Sequence, residues 1–113
     1  MPAEPGRGRG HYLPPAEIRR LWAEIPPEAD TLAGFLQPVL AWLASEARPG
    51  DYVLIQGEFG ATWILVGEAF RHGCVPIYST TRREATESHD ADGWVELRHH
   101  FRHVRYRRYC ASP

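Results

Sequence analysis

Asp51-Tyr-Val-Leu-Ile-Gln-Gly-Glu-Phe-Gly-Ala-Thr62 decides the fold. Its apolar block from Val53 to Ile55 reads as a buried strand. Gly57 and Gly60 bracket a tight turn, and Ala61 to Phe70 continues as an apolar helix. A strand that ends in a Gly-bearing turn and opens a helix leaves backbone N–H groups without intrahelical partners at one spot. Such a spot suits an anion, usually a phosphate. The chemistry is therefore expected at the carboxyl end of the strand over 51–56.

Working outward from this unit, the helix spans 61–72 and Gly73 is placed to cap it. Cys74-Val-Pro-Ile-Tyr78 reads as a second strand, parallel to the first through a right-handed crossover. Ser79 to Thr86 stays strand-like, Ser88 to Gly93 is a turn, and Trp94 to Tyr109 returns as a long strand. Val95, Leu97 and Phe101 share one face of it, whereas Val104 and Tyr106 are out of phase, which predicts a bulge or bend near 102–103. Upstream, Pro14-Pro15 opens a helix with Ile18, Leu21, Trp22 and Ile25 on one face, closed by Pro26-Pro27. Asp30 or Thr31 is the expected cap of a second helix striped by Leu32, Phe35, Leu36, Val39, Leu40 and Leu43, kinked or broken at Pro38. Residues 1–10 are rich in Pro, Gly and Arg and read as disordered, with a short strand conceivable at His11–Leu13. The order is α-α-β-α-β-β-β, an α/β domain over 11–113 with parallel strands at 51–56 and 74–79 and a C-terminal β-hairpin.

With 113 residues and 43% hydrophobic content, the chain suits one globular domain. No apolar run approaches a membrane span or a signal region, so a cytoplasmic protein without a membrane partner is expected. Cys74 and Cys110 are too few for a disulfide scaffold or a zinc framework. The net charge of −1 hides an asymmetry: residues 1–70 hold five Arg and nine acids, and residues 71–113 hold eight Arg, five acids and five of the six His. There is no Lys. A GC-rich genome accounts for that choice, yet Arg also presents a planar fork of donors that fits phosphate. This balance speaks against a wholly acidic partner.

Three clusters carry chemistry. The turn over 57–62 lacks the Gly-x-Gly start of a dinucleotide fingerprint and the Lys-Ser/Thr of a Walker loop. It is a plain strand–helix turn or an anion cradle, and Glu58 argues against a dense phosphate cradle while offering an acceptor for a ribose hydroxyl or an adenine amine. Tyr78-Ser-Thr-Thr-Arg-Arg83 follows the neighbouring parallel strand, so its hydroxyls and arginines are expected to face the same crevice. Alternation pairs Thr80 with Arg82 and Thr81 with Arg83, so only one arginine should reach a ligand. Otherwise this stretch is a solvated polar strand. The run His99-His-Phe-Arg-His-Val-Arg-Tyr-Arg-Arg-Tyr109 is a poor metal site, because successive His point to opposite faces and no third ligand is evident. It fits a single-stranded nucleic-acid surface, a charged edge strand, or a strand that closes the anion crevice.

Tyr12-Leu-Pro14, Leu21 to Pro27, Gly50 to Thr62, Pro76 to Glu84 and Phe101 to Tyr109 together resemble a small Csx family of CRISPR-associated proteins, regarded as ring nucleases of type III systems. The resemblance covers about residues 11–109, and its specific parts are Gly57–Thr62 and Thr80–Arg83. It implies a CARF-like Rossmann fold, a homodimer, and cyclic oligoadenylate (the tetramer above all) as ligand, with no metal, no cofactor and no stable nucleic-acid partner. It also implies cleavage by a ribose 2′-hydroxyl in line with its own phosphate, ending the signal. The expected ligand-binding residues are Gln56, Gly57, Glu58, Phe59, Gly60, Ala61, Thr62, Ser79, Thr80, His103 and Arg105, and the expected catalytic set is Arg82, Arg83 and Thr81. Family members begin with a further β-α unit, which the resemblance implies is missing or replaced here, with a truncated chain or a misassigned start as the readings. A module that sequesters the ligand uncut and a single-stranded RNA binder are the competing functions.

Overall fold

A computed structural model of the chain describes residues 14–111. Three helices and three strands follow in the order α1 (Ala16–Ala23), α2 (Gln37–Glu46), β1 (Tyr52–Leu54), α3 (Phe59–Arg71), β2 (Val75–His89) and β3 (Val95–Arg108). The strands form one open mixed sheet in the order β1-β2-β3, with β1 parallel to β2 and β2 antiparallel to β3. The α/β class and the parallel pair joined by α3 agree with the sequence. The strands expected separately at 74–78 and 79–86 are one continuous strand, because nothing between Tyr78 and Ser79 turns the backbone.

The second helix is also shorter than its apolar stripe. Pro38 has no N–H and fits only the first turn of a helix, so α2 starts at Gln37 with Pro38 in that turn and Leu36 in the N-cap position. Residues 33–36 form turns instead, and neither Asp30 nor Thr31 caps α2. Leu32 and Phe35 still pack against the core, so the apolar stripe is used without being helical. The expected cap Gly73 follows the end of α3 with φ +74°, a left-handed conformation that side chains disfavour. The expectations for residues 1–10 and His11–Leu13 lie outside the described residues.

The core lies on one face of the sheet. Val53 and Ile55 are buried with Leu36, Val39 and Leu43, and with Ala61, Leu65 and Ala69 of α3. Tyr52, Leu54 and Val75 alternate with them and stay half-buried outside this cluster. Pro76 is buried in the central strand where β3 runs out, and toward β3 it only accepts a hydrogen bond from the Tyr109 N–H (3.0 Å). Beyond Thr80 the β2–β3 hairpin leaves the body: from Thr81 to Arg108 every residue except Glu84 is exposed. The expected bulge falls at Val104, since Thr80 pairs with Arg105 and Thr81 with His103. Asp90 closes the hairpin loop, its Oδ1 accepting from the Asp92 and Trp94 N–H groups (both 2.9 Å).

Candidate anion-binding site

The turn after β1 is built around packing as much as around exposed amides. The Trp22 indole N–H donates to the Gln56 carbonyl at 3.0 Å. A Cβ on Gly57 would stand 2.7 Å from Trp22 Nε1, so Gly57 is needed to let α1 close on the turn. Glu58 caps α3: its Oε1 accepts from the Ala61 N–H at 2.9 Å, and its carbonyl accepts from the Thr62 N–H at 2.8 Å. The carboxylate thus occupies part of the position that a ligand phosphate would take, favourably placed against the helix dipole. Among the described residues the Phe59 and Gly60 amides have no hydrogen-bond partner, and neither has the buried Thr62 Oγ1. None of this is visible in residue type alone, because Glu is not among the preferred capping residues.

Gln56 links the two parallel strands at their carboxyl ends, its Oε1 accepting from the Ser79 N–H at 3.1 Å. From there the strand alternation divides the expected site between the two faces of the sheet. Tyr78 contacts Tyr109 (ring centroids 4.8 Å apart), and Tyr109 packs against the core, so Tyr78, Thr80 and Arg82 belong to the helix-side face. Arg105 joins them, its N–H donating to Thr80 Oγ1 (3.2 Å), which in turn donates to the Arg105 carbonyl (3.0 Å). Arg107 extends the same face, donating to the Tyr78 hydroxyl at 3.1 Å. Ser79, Thr81 and Arg83 take the opposite face. There the Ser79 hydroxyl hydrogen-bonds His103 Nδ1, and the His103 ring lies 4.5 Å from that of Tyr106. The 57–62 turn, Thr80, Arg82 and Arg105 are therefore brought to one side; Thr81, Arg83 and His103 are not.

Charge on the helix side is only partly neutralised. Glu84 accepts from Arg102 Nε (3.1 Å) and lies 3.3 Å from His100 Nε2. Among the described residues Arg82 and Arg105 form no ion pair. Strand alternation puts Arg82 and Arg105 on the same face as Thr80, and guanidiniums there suit a phosphodiester. Among the described residues no three His, Cys, Asp or Glu gather as a metal site. Two further groups are out of reach of proton chemistry at neutral pH. Burial, and secondarily the Asp51 carboxylate, pushes the Cys74 thiol above its ordinary 9.0, and its S–H donates to the Arg48 carbonyl at 3.4 Å. Burial, then Tyr78, raises the Tyr109 phenol, which donates to the Ile55 carbonyl at 2.8 Å.

Sequence reasoning missed a second concavity. A groove of about 670 Å³ runs along the outer side of α3, between Phe59, Trp63 and Phe70 and the chain at Tyr109–Ala111. Phe59 and Trp63 are 94% and 80% exposed, and their spacing of four residues was the available signal.

A family model described as "Uncharacterized protein MJ1673 family" matches residues 11–107. The chain belongs to that family. It is 44% identical over 98 residues to "Uncharacterized protein MJ1673" of Methanocaldococcus jannaschii, covering 87% of this chain and 74% of that protein. No solved structure matches it. Among the described residues no helix is long and apolar enough to cross a membrane.

Proposed function

We propose that the chain is a ring nuclease that binds cyclic oligoadenylate, the tetramer above all, and opens it without metal. The observation that carries this is that Arg82 and Arg105, without an ion pair among the described residues, share the face of Thr80 on the side of the sheet where α3 begins with the Phe59 and Gly60 amides. In this reading β1, α3 and β2 are the centre of a CARF-like Rossmann sheet, and the ligand lies at the carboxyl ends of the parallel strands. Glu58 accepts from a ribose hydroxyl or an adenine amine, and Gln56 fixes the strand ends.

The ribose 2′-oxygen attacks the adjacent phosphorus in line with the 5′-oxygen. The P–O2′ bond forms, the P–O5′ bond breaks, the 2′-hydroxyl proton is lost to solvent and the 5′-oxygen gains one. The product is a linear oligoadenylate with a 2′,3′-cyclic phosphate, and no water is consumed. Positioning supplies most of the rate, and Arg82 stabilises charge that builds on the phosphate oxygens. Opening the ring in the cytoplasm would end a type III CRISPR signal.

Incubation with cyclic tetraadenylate in EDTA, followed by chromatography, tests the proposal. The linear product is expected. If EDTA abolishes cleavage and zinc or manganese restores it, the metal-free mechanism is wrong. A ligand that binds but persists uncut identifies a sequestering module, which one observation favours: Arg82 lies five positions beyond Ile77, where pairing with β1 ends. Displacement of the ring by linear RNA would point to a nucleic-acid binder.

A further inference from the structure

The two sides of the β2–β3 hairpin treat their charges differently. On the helix side, Glu84 is held by Arg102 and His100, and Glu96 by Arg98 at 3.2 Å, so opposite charges close on one another within the chain. The other side carries Leu97 (58% exposed) and Phe101 (70% exposed), with Arg83 and Glu87 beside them. Among the described residues neither Arg83 nor Glu87 has an ion pair. Four residues of extended chain separate the two by roughly 13 Å, too far to meet within one hairpin.

Their register is symmetric. Arg83 pairs with Phe101, Ala85 with His99 and Glu87 with Leu97. The small residue Ala85 is central, with opposite charges one step to either side on β2 and an apolar residue one step to either side on β3. A two-stranded ribbon is marginal in water unless something covers its apolar side.

We infer that this side of the hairpin packs face to face on the same hairpin of a second copy of the chain, about a two-fold axis through the Ala85–His99 row. An axis between the ribbons and perpendicular to their strands lays each strand on its own counterpart, reversed in direction. Arg83 then faces the partner's Glu87, Glu87 faces the partner's Arg83, and Phe101 meets the partner's Leu97. Such a contact is isologous, so it closes at two copies. Packed sheets stand about 10 Å apart with interdigitated side chains, a gap that Phe101 and Leu97 fill. The interface leaves the helix side, with Arg82 and Arg105, open. It is read by mass with no ligand present, so its failure is separate from that of the ring-nuclease proposal.

Sedimentation velocity of the full chain is expected to give a dimer. Arg83→Glu and Glu87→Arg should each weaken it by about tenfold or more, because each places like charges opposite one another at two symmetric points. The double change R83E/E87R should restore it, which a general loss of folding would not. Circular dichroism of the single variants should match wild type, since both positions are exposed. In a Cys110→Ser background, Ala85→Cys should cross-link to its own counterpart with a bis-maleimide, Cys74 being buried. A monomer at tens of micromolar, a dimer indifferent to both single changes, or a double variant as weak as either single overturns the inference; the indifferent dimer would instead indicate pairing along the free β3 edge.

Discussion

β2 runs through two regions that share a strand and little else. From Val75 to Tyr78 it lies in the body, where Pro76 and Ile77 are buried and β1 supplies a parallel neighbour. From Thr81 to His89 it is one rail of an arm whose only lateral neighbour among the described residues is β3. The body is stabilised by removing apolar surface from water within one chain. In the arm the same alternation of polar and apolar residues produces a ribbon with an apolar side that no described residue covers. One backbone geometry therefore serves two ends: cohesion where helices cover it, and recognition where they do not.

The sharpest contrast is expected in core truncation. Leu65, fully buried on the inner side of α3, should cost about 2–5 kcal/mol of stability on change to Ala, read by chemical denaturation. Leu97→Ala in the arm should change the same midpoint by under about 0.5 kcal/mol at concentrations too low for association. Equal losses would mean that the arm is packed within the monomer.

The next test separates the two sides of the arm. Arg82→Ala should lower the single-turnover rate of ring opening by about a hundredfold or more while binding falls much less, because the charge it meets grows toward the transition state. The change at Arg83, on the other side, should lower that rate far less and appear in mass instead. Similar kinetic losses at both would remove the division of labour between the faces.

Within the body, Gly57→Ala should cost about 1–3 kcal/mol in thermal unfolding, since the added methyl is driven into the Trp22 ring. In a Trp22→Ala background most of that cost should vanish, the two sites being in contact. A Gly57→Ala loss that persists there would trace to the turn rather than to the indole. Glu58→Ala should cost about 1 kcal/mol through the lost cap of α3. It should also tighten ligand binding if a phosphate competes for that position; weaker binding would favour Glu58 as an acceptor for ribose or adenine.

The smallest effect concerns alkaline pH. Cys74 has a raised pKa in the folded chain, so its contribution is fully present below the unfolded value of 9.0 and is lost as pH rises through the folded value. Stability should decline above about pH 9, and Cys74→Ala should make the decline shallower. Tyr109 adds a similar loss starting near its ordinary 10.0.

Local chemistry was legible from the residues wherever it acts over a few positions. Val53 to Ile55 followed by glycine gave the strand and turn, Gly73 the end of α3, and the phase change at Val104 the bulge. Proline announced a break at residue 38 without saying which side would remain helical; the N–H it lacks is dispensable only in a first turn, so the helix lies after it. The candidate site was legible as a list and not as an arrangement. Thr80, Arg82 and Arg105 join the 57–62 turn, while Thr81, Arg83 and His103 fall on the other face, because the face a residue takes depends on whether the strand runs on unbroken from Tyr78.

The amino-acid sequence by itself determined the α/β class, the parallel β-α-β unit and the amphipathic pattern of the hairpin, since periodicity and turn chemistry are properties of neighbouring residues. Tertiary structure alone decided that Gly57 makes room for Trp22, that Glu58 closes its own helix, and that no described residue covers one side of the arm. Each of these depends on which distant segment arrives at a given place, and a spacing along the chain does not record that.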